Sequence, residues 1–196
     1  MADPAYIVDG VLTDGEAWVG IAHETLSLPA STVTWTSTDD GQVGDFSQYM
    51  DFKIIVYVRS TVASDQDTLY MKLNNSGVSG IYPWQAFYGN GSSATAANGA
   101  GNKINLGSMV AATGTANVFS VFILDLFDVN SGKYKFVQSS YGNEGYDTGY
   151  GSVGFYPHGW NSQEPITEID IFINSGGSLA AGSMFSLFGI LPRMVA

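Results

Sequence analysis

The chain contains no cysteine, which excludes a disulfide framework, a thiolate metal site and a cysteine nucleophile. Basic residues are nearly as scarce. Lys and Arg number 7 against 18 Asp and Glu, a formal net charge of -11. That balance repels phosphate and anionic lipid, so neither nucleic acid nor a membrane surface is an expected partner. Any protein surface the chain docks on should be neutral or basic. Charged residues make up only 13% of the chain, about half the usual share, so its surface must consist largely of Ser, Thr, Asn and backbone.

Long apolar runs are also missing. The longest, Val118 to Phe127, is broken by Ser120 and Asp125, and no positively charged start leads into an apolar segment. Neither a signal peptide nor a transmembrane helix is expected. The protein should act where it folds, or leave the cell by lysis or within a particle. No segment longer than about ten residues has helical spacing with caps, and 24 glycines recur too often to permit one at ordinary cost.

What is present is strand periodicity. Phe52–Arg59 places Phe52, Ile54, Val56 and Val58 on one face, the mark of a half-buried strand. Thr68–Asn74 repeats the pattern with Leu69, Met71 and Leu73, and ends in the turn residues Asn74–Gly77. Val118–Phe127 is apolar on both faces and should be a central strand, covered on each side by a second sheet or another subunit. Lys133–Gln138 follows a turn and reads as its returning strand. Ile166–Asn174 sets Ile169, Ile171 and Ile173 against Glu168, Asp170 and Phe172, and Asn174–Ser178 is expected to turn it back into Ser183–Ile190 as one hairpin.

Short strands punctuated by turns predict an all-β fold: an antiparallel β-sandwich of jelly-roll type. Its domain spans residues 32–196. Residues 1–31 read as an extended N-terminal arm with short strands, Ala5–Leu12 and Ala17–His23, tied to its own domain or to a neighbour. Tyr88–Asn102 is small and polar and should be a mobile loop. Ser139–Trp160 mixes Gly with aromatics and should be a loop that packs on something.

Catalytic constellations are thin. Asp39 and Asp40, Asp65 and Asp67, and Glu164, Glu168 and Asp170 supply carboxylates. A glycosidase needs two in a cleft, and Glu168 and Asp170 share a strand face that solvation explains equally well. His23 and His158 are the only histidines, with no G-x-S-x-G elbow and no zinc set. Asp65-Gln66-Asp67 lacks the glycine and terminal glutamate of a calcium loop. The glycines at 89, 91, 99 and 101 lack the strand-to-helix setting and lysine of a phosphate cradle. No enzyme activity, metal or cofactor is expected.

Aromatics remain. Trp84, Phe87, Tyr88, Tyr141, Tyr146, Tyr150, Phe155, Tyr156 and Trp160 fall in segments read as loops or strand ends. Rings at such places pack a sandwich end, form an interface or stack on sugar. The candidate contact residues are Tyr6, Trp18, Trp84, Tyr88, Tyr156 and Trp160, with Trp84, Tyr88, Tyr156 and Trp160 as a possible glycan platform.

Pro165–Ile190 (PITEIDIFINSGGSLAAGSMFSLFGI) resembles the C-terminal hairpin of tailed-bacteriophage virion proteins, with Phe188 in place of the more usual tyrosine. Asp45–Arg59 (DFSQYMDFKIIVYVR) and Leu69–Gly77 (LYMKLNNSG) look like the paired strands of that family. The likeness runs from Thr32 to Ile190, close at both ends and loose in the middle, and leaves the arm uncovered. The resemblance implies a structural virion protein, a capsid decoration or cement protein on the outer capsid surface, assembled in the bacterial host cytoplasm. It implies a homotrimer bound to the major capsid protein of the same phage. A receptor- or carbohydrate-binding module of a head or tail fibre is the alternative.

Overall fold

The computed structural model describes residues 7–8, 11–12, 18–38, 44–144 and 151–191. It is a sandwich of two antiparallel sheets. In chain order the strands are β1 (Ile7–Val8), β2 (Val11–Leu12), β3 (Trp18–Thr25), β4 (Thr32–Thr36), β5 (Asp51–Val58), β6 (Gln66–Leu73), β7 (Tyr82–Gly89), β8 (Ala94–Gly101), β9 (Ile104–Val110), β10 (Ser120–Phe127), β11 (Lys135–Asn143), β12 (Ser152–Trp160), β13 (Glu168–Phe172) and β14 (Met184–Ile190). The larger sheet has the order β3-β14-β5-β10-β11-β12-β7-β8, the smaller β4-β13-β6-β9, and β1 pairs with β2.

With the hairpins β1–β2, β7–β8 and β11–β12 set aside, the remaining strands pair first with last. Strand β3 joins β14, β4 joins β13, β5 joins β10 and β6 joins β9. This nested order is consistent with a jelly roll, a long double strand rolled into two sheets. Both inserted hairpins extend the larger sheet beyond β10, so β7 and β8 form a wing past the smaller one.

Period-two patterns put the core where the sequence places it. Phe52, Ile54, Val56 and Val58 of β5 are buried against Leu69, Met71 and Leu73 of β6 and Ile169 and Ile171 of β13. Strand β10 lies centrally, between β5 and β11, with Phe122, Leu124 and Leu126 buried. Among the described residues only that side is covered; Ile123 and Phe127, on the other side, are exposed.

Three expectations change, and the attachment of residues 18–25 is decided. Of the two attachments open to the arm, they take the one to their own domain: β3 pairs along β14 in the larger sheet. Tyr88–Asn102 is not a loop. Asn90 Oδ1 accepts the Ser92 and Ser93 amides at 3.1 and 3.0 Å, which tightens a turn that pairs β8 with β7 along its whole length. Backbone pairing overrides the weak strand propensity of Ala, Asn and Gly.

Ser139–Trp160 is mostly strand too. Its glycines are needed because rings lie across them: a Cβ at Gly154 or Gly107 would overlap the Tyr141 ring. The expected closing hairpin is instead a crossover, with β13 in the smaller sheet and β14 in the larger. The connection is too long for a tight turn and is anchored midway by Leu179, fully buried and bridged to Ala30 and Ser60.

The most demanding place in the fold is the free edge of β9. This strand packs across β10, β11 and β12, so its outward backbone groups are turned away from water and need partners. Polar side chains from the larger sheet supply them. Ser120 Oγ accepts the Val110 amide at 2.8 Å, Ser139 Oγ donates to the Leu106 carbonyl at 2.8 Å, and Asn143 Nδ2 donates to the Ser108 carbonyl at 3.0 Å. His158 Nε2 accepts the Asn105 amide at 3.1 Å. These four account for most of the buried polar side chains among the described residues. They explain why otherwise apolar strands are interrupted where they are.

Arg59 stabilises the following loop, donating to the carbonyls of Thr115 at 2.6 Å, Gly114 at 2.8 Å and Val118 at 2.9 Å.

Replacing Ser139 by Ala should leave the Leu106 carbonyl buried without its partner and lower stability by about 1–3 kcal/mol. Ser140→Ala, one residue along on the exposed face, should change it by less than about 0.5 kcal/mol. Urea unfolding of both variants measures the difference.

Candidate functional site: the outer face of the larger sheet

The sandwich has two outer faces of opposite character. On the smaller sheet, Thr32, Thr34 and Thr36 stand in register with Phe172, Asp170 and Glu168, and these with Tyr70 and Lys72 of β6. Thr34 donates to Asp170 at 2.7 Å. Even the rings here are shielded by cations: Lys72 lies 5.8 Å from the Phe172 centroid and Lys103 4.4 Å from that of Tyr70. This is a face built for water.

The larger sheet's outer face is not. Registers carry one row across it through Ser186, Ile55, Ile123, Ser140, Phe155, Phe87 and Ala96. A parallel row runs through Met184, Tyr57, Val121, Gly142 and Val153. Phe127 and Phe136 pair directly, with centroids 6.4 Å apart. Eleven large apolar residues are exposed among the described residues, and eight stand on this face: Trp18, Tyr57, Phe87, Ile123, Phe127, Phe136, Val153 and Met184. Phe87 and Val153 are the most open, at 63% and 65%.

Charge is nearly absent from the same surface. Its strand rows hold Asp51, Lys53 and Asp125, and the last two form an ion pair. By strand spacing and rise the face measures roughly 34 by 23 Å, on the order of 800 Å². That matches the roughly 800 Å² each partner contributes to a standard protein interface. Isolated exposed apolar residues need no explanation, but eight gathered on one nearly uncharged face mark an interaction surface.

Its wing end is furrowed. A groove of about 570 Å³ is lined by Pro83, Gln85, Asn98, Phe136, Pro157 and Gly159. A neighbour of about 530 Å³ shares Gln85, Asn98 and Pro157 and adds Phe87, Phe155 and Ala96. Among the described residues no charged group lines either groove.

Of the candidate contact residues, Trp18 lies on this face, 45% exposed, its ring 6.2 Å from that of Phe188 and under Lys53 Nζ at 5.0 Å. The four-ring platform does not form. Trp160 and Tyr156 are buried, at 1% and 8% exposed. Their inward rows fill the core, Tyr156 stacking on Tyr88 at 6.0 Å and meeting Tyr141 edge-on at 5.7 Å. Burial pushes the Tyr156 hydroxyl's pKa up. Trp84 is half-buried beside His158, its ring across Gly99. Tyr6, Tyr146, Tyr150, Asp39 and Asp40 lie outside the described residues.

The other sequence candidates are occupied by structural contacts. Asp65 accepts from Thr113, and Asp67 from Ser60 and Ser175. Glu168 is raised above the usual carboxylate range, by desolvation first and by Asp170 second. His23 is exposed and bonded to Ser186 and Thr25. No group of three or more metal-ligating side chains occurs among the described residues.

Phe87, Phe136, Val153 and Phe155 are surface residues that the sequence reading did not place on one face. The available signal was the second apolar set of β10, Val121, Ile123 and Phe127, which continues into the neighbouring strands. Comparison with protein-family models, curated proteins and solved structures gave no match.

His158 gives this region a pH dependence. Its Nε2 accepts from Asn105, so the proton sits on Nδ1, facing the Tyr156 carbonyl at 3.3 Å. Burial pushes its pKa down to about 4. The unfolded chain therefore takes up a proton near pH 6.5 that the fold refuses, and stability falls as pH drops from about 6.5 towards 4. Urea unfolding should show a loss of about 1 kcal/mol per pH unit between pH 6 and 5. His158→Gln should flatten that slope.

Proposed function

We propose that the protein is a non-catalytic structural component of a phage virion, a capsid decoration or cement protein that docks through the outer face of the larger sheet. One observation carries the reading: an apolar, almost uncharged surface of interface size on a chain whose other outer face is polar. The resemblance of Pro165–Ile190, Asp45–Arg59 and Leu69–Gly77 to tailed-phage virion proteins supplies the setting.

The mechanism is mechanical. Seating the face across shell subunits removes apolar area from water, a gain roughly proportional to area. Pulling subunits apart then re-exposes it. A jelly-roll-like sandwich suits this work, because its core stays closed while one face is offered. Net negative charge on the rest of the chain keeps free copies from sticking face to face before they reach the particle.

The fibre-module alternative is supported by the two uncharged grooves, where the amides of Gln85 and Asn98 lie between Phe136 and Phe87. Amides and ring faces suit the hydroxyls and C–H faces of a neutral sugar better than an ionic ligand. A glycan array probed with the whole chain distinguishes the two readings: specific retention favours the fibre module.

The decoration reading is tested with heads of the phage that encodes the chain, imaged and sedimented with and without added protein. The chain should co-sediment with heads, and Ile123→Asp or Phe127→Asp should reduce the bound fraction at least about tenfold while leaving the circular dichroism unchanged. Because the face carries little charge, binding should vary little with salt. Heads that bind the wild type and both variants equally, or not at all, contradict it.

A further inference from the structure

Every sheet in an open sandwich ends in strands with unpaired backbone groups, and proteins protect such edges with charge, bulges, shortness or cover. Three of the four edges here are protected. The edge of β9 is sealed by Ser120, Ser139, Asn143 and His158. Strand β3 bears Glu24 and has a register shift against β14 between Leu187 and Phe188. Strand β4 is short, at 5 residues.

The fourth edge has none of these devices. Strand β8 runs 8 residues in unbroken register with β7. It contains no proline and no charge; from Leu73 to Asn102 the chain has no Asp, Glu, Lys or Arg at all. Its residues are exposed or half-exposed, and no side chain among the described residues bonds to its backbone. A fold that uses four buried side chains to satisfy the edge of a 7-residue strand leaves one of 8 residues bare.

We propose that β8 pairs antiparallel with β8 of a second copy of this chain, joining two larger sheets into one. Charge selects the place. Two copies each carrying -11 repel wherever acidic groups meet, and the hairpin β7–β8 is where they approach without such groups. Symmetry fits as well. Antiparallel pairing of a strand with itself is isologous and places the two-fold axis across the sheet, so residues opposite each other share a face.

Both apolar outer faces therefore point the same way. They stay free and lie side by side, about doubling the docking area of one copy. A face-to-face dimer would instead hide the surface on which the virion reading depends. The pairing does not rest on that reading, and it replaces the three-fold assembly that the phage resemblance implies with a two-fold one.

Analytical ultracentrifugation of the whole chain tests the pairing. The wild type should sediment at twice the chain mass. Asn98 is exposed near the middle of β8, so Asn98→Lys sets like charges against each other across the two-fold. That variant should sediment at the single chain mass, and so should Asn98→Glu. An equimolar mixture of the two should return to the double mass. Circular dichroism identical to wild type shows that both variants are folded. A wild type at single or triple mass, a double mass that survives both substitutions, or a mixture that stays monomeric overturns the proposal.

Discussion

The structure depends on satisfying the buried edge of β9. A strand can pass beneath a neighbouring sheet only if its outward amides and carbonyls find partners, since each one left bare costs about 1–3 kcal/mol. Here the partners are planted in the larger sheet, at Ser120 on β10, Ser139 and Asn143 on β11 and His158 on β12. The strands inserted beyond β10 are thus not ornaments on a smaller sandwich. Their inward polar groups close one side of it, and the Tyr141 ring lying over Gly107 and Gly154 fills the space where the two sheets meet.

Closing that side has a consequence on the opposite surface. To carry polar groups inward at β11 and β12 the larger sheet must reach far past β10, and its reach creates a broad outer face that no other element among the described residues covers. Apolar residues gather there while charge gathers elsewhere. The same extension ends in β8, the one long edge without protection among the described residues. An uncovered face and an uncovered edge on one sheet fit a protein whose folding is completed by other molecules.

Much of this was legible in the amino-acid order, and the limits have physical causes. Alternation identified the inward rows of β5, β6 and β13, because burial on one face and solvent on the other imposes period two. Tyr88–Asn102, which holds the hairpin's turn and β8, reads as a loop, since Ala, Asn and Gly carry no strand signal when backbone pairing alone holds the strand. Trp160 and Tyr156 stand among the contact candidates because their Gly-rich segment reads as a loop; those glycines instead make room for rings. The crossover from β13 to β14 depends on Leu179 finding the core, which no local pattern reveals. Ser120 was visible only as an interruption, because the carbonyls and amides it and its companions serve lie on a strand distant in sequence.

The central claim is that the fold seals one strand edge internally and leaves another for a partner molecule. Residue-resolved amide hydrogen exchange at two protein concentrations tests it most directly. The account predicts slow exchange at Asn105 and Val110 at both concentrations, and exchange along β8 that is fast in dilute solution and slows when the protein is concentrated. Fast exchange at Asn105 and Val110, or protection along β8 that ignores concentration, would contradict it.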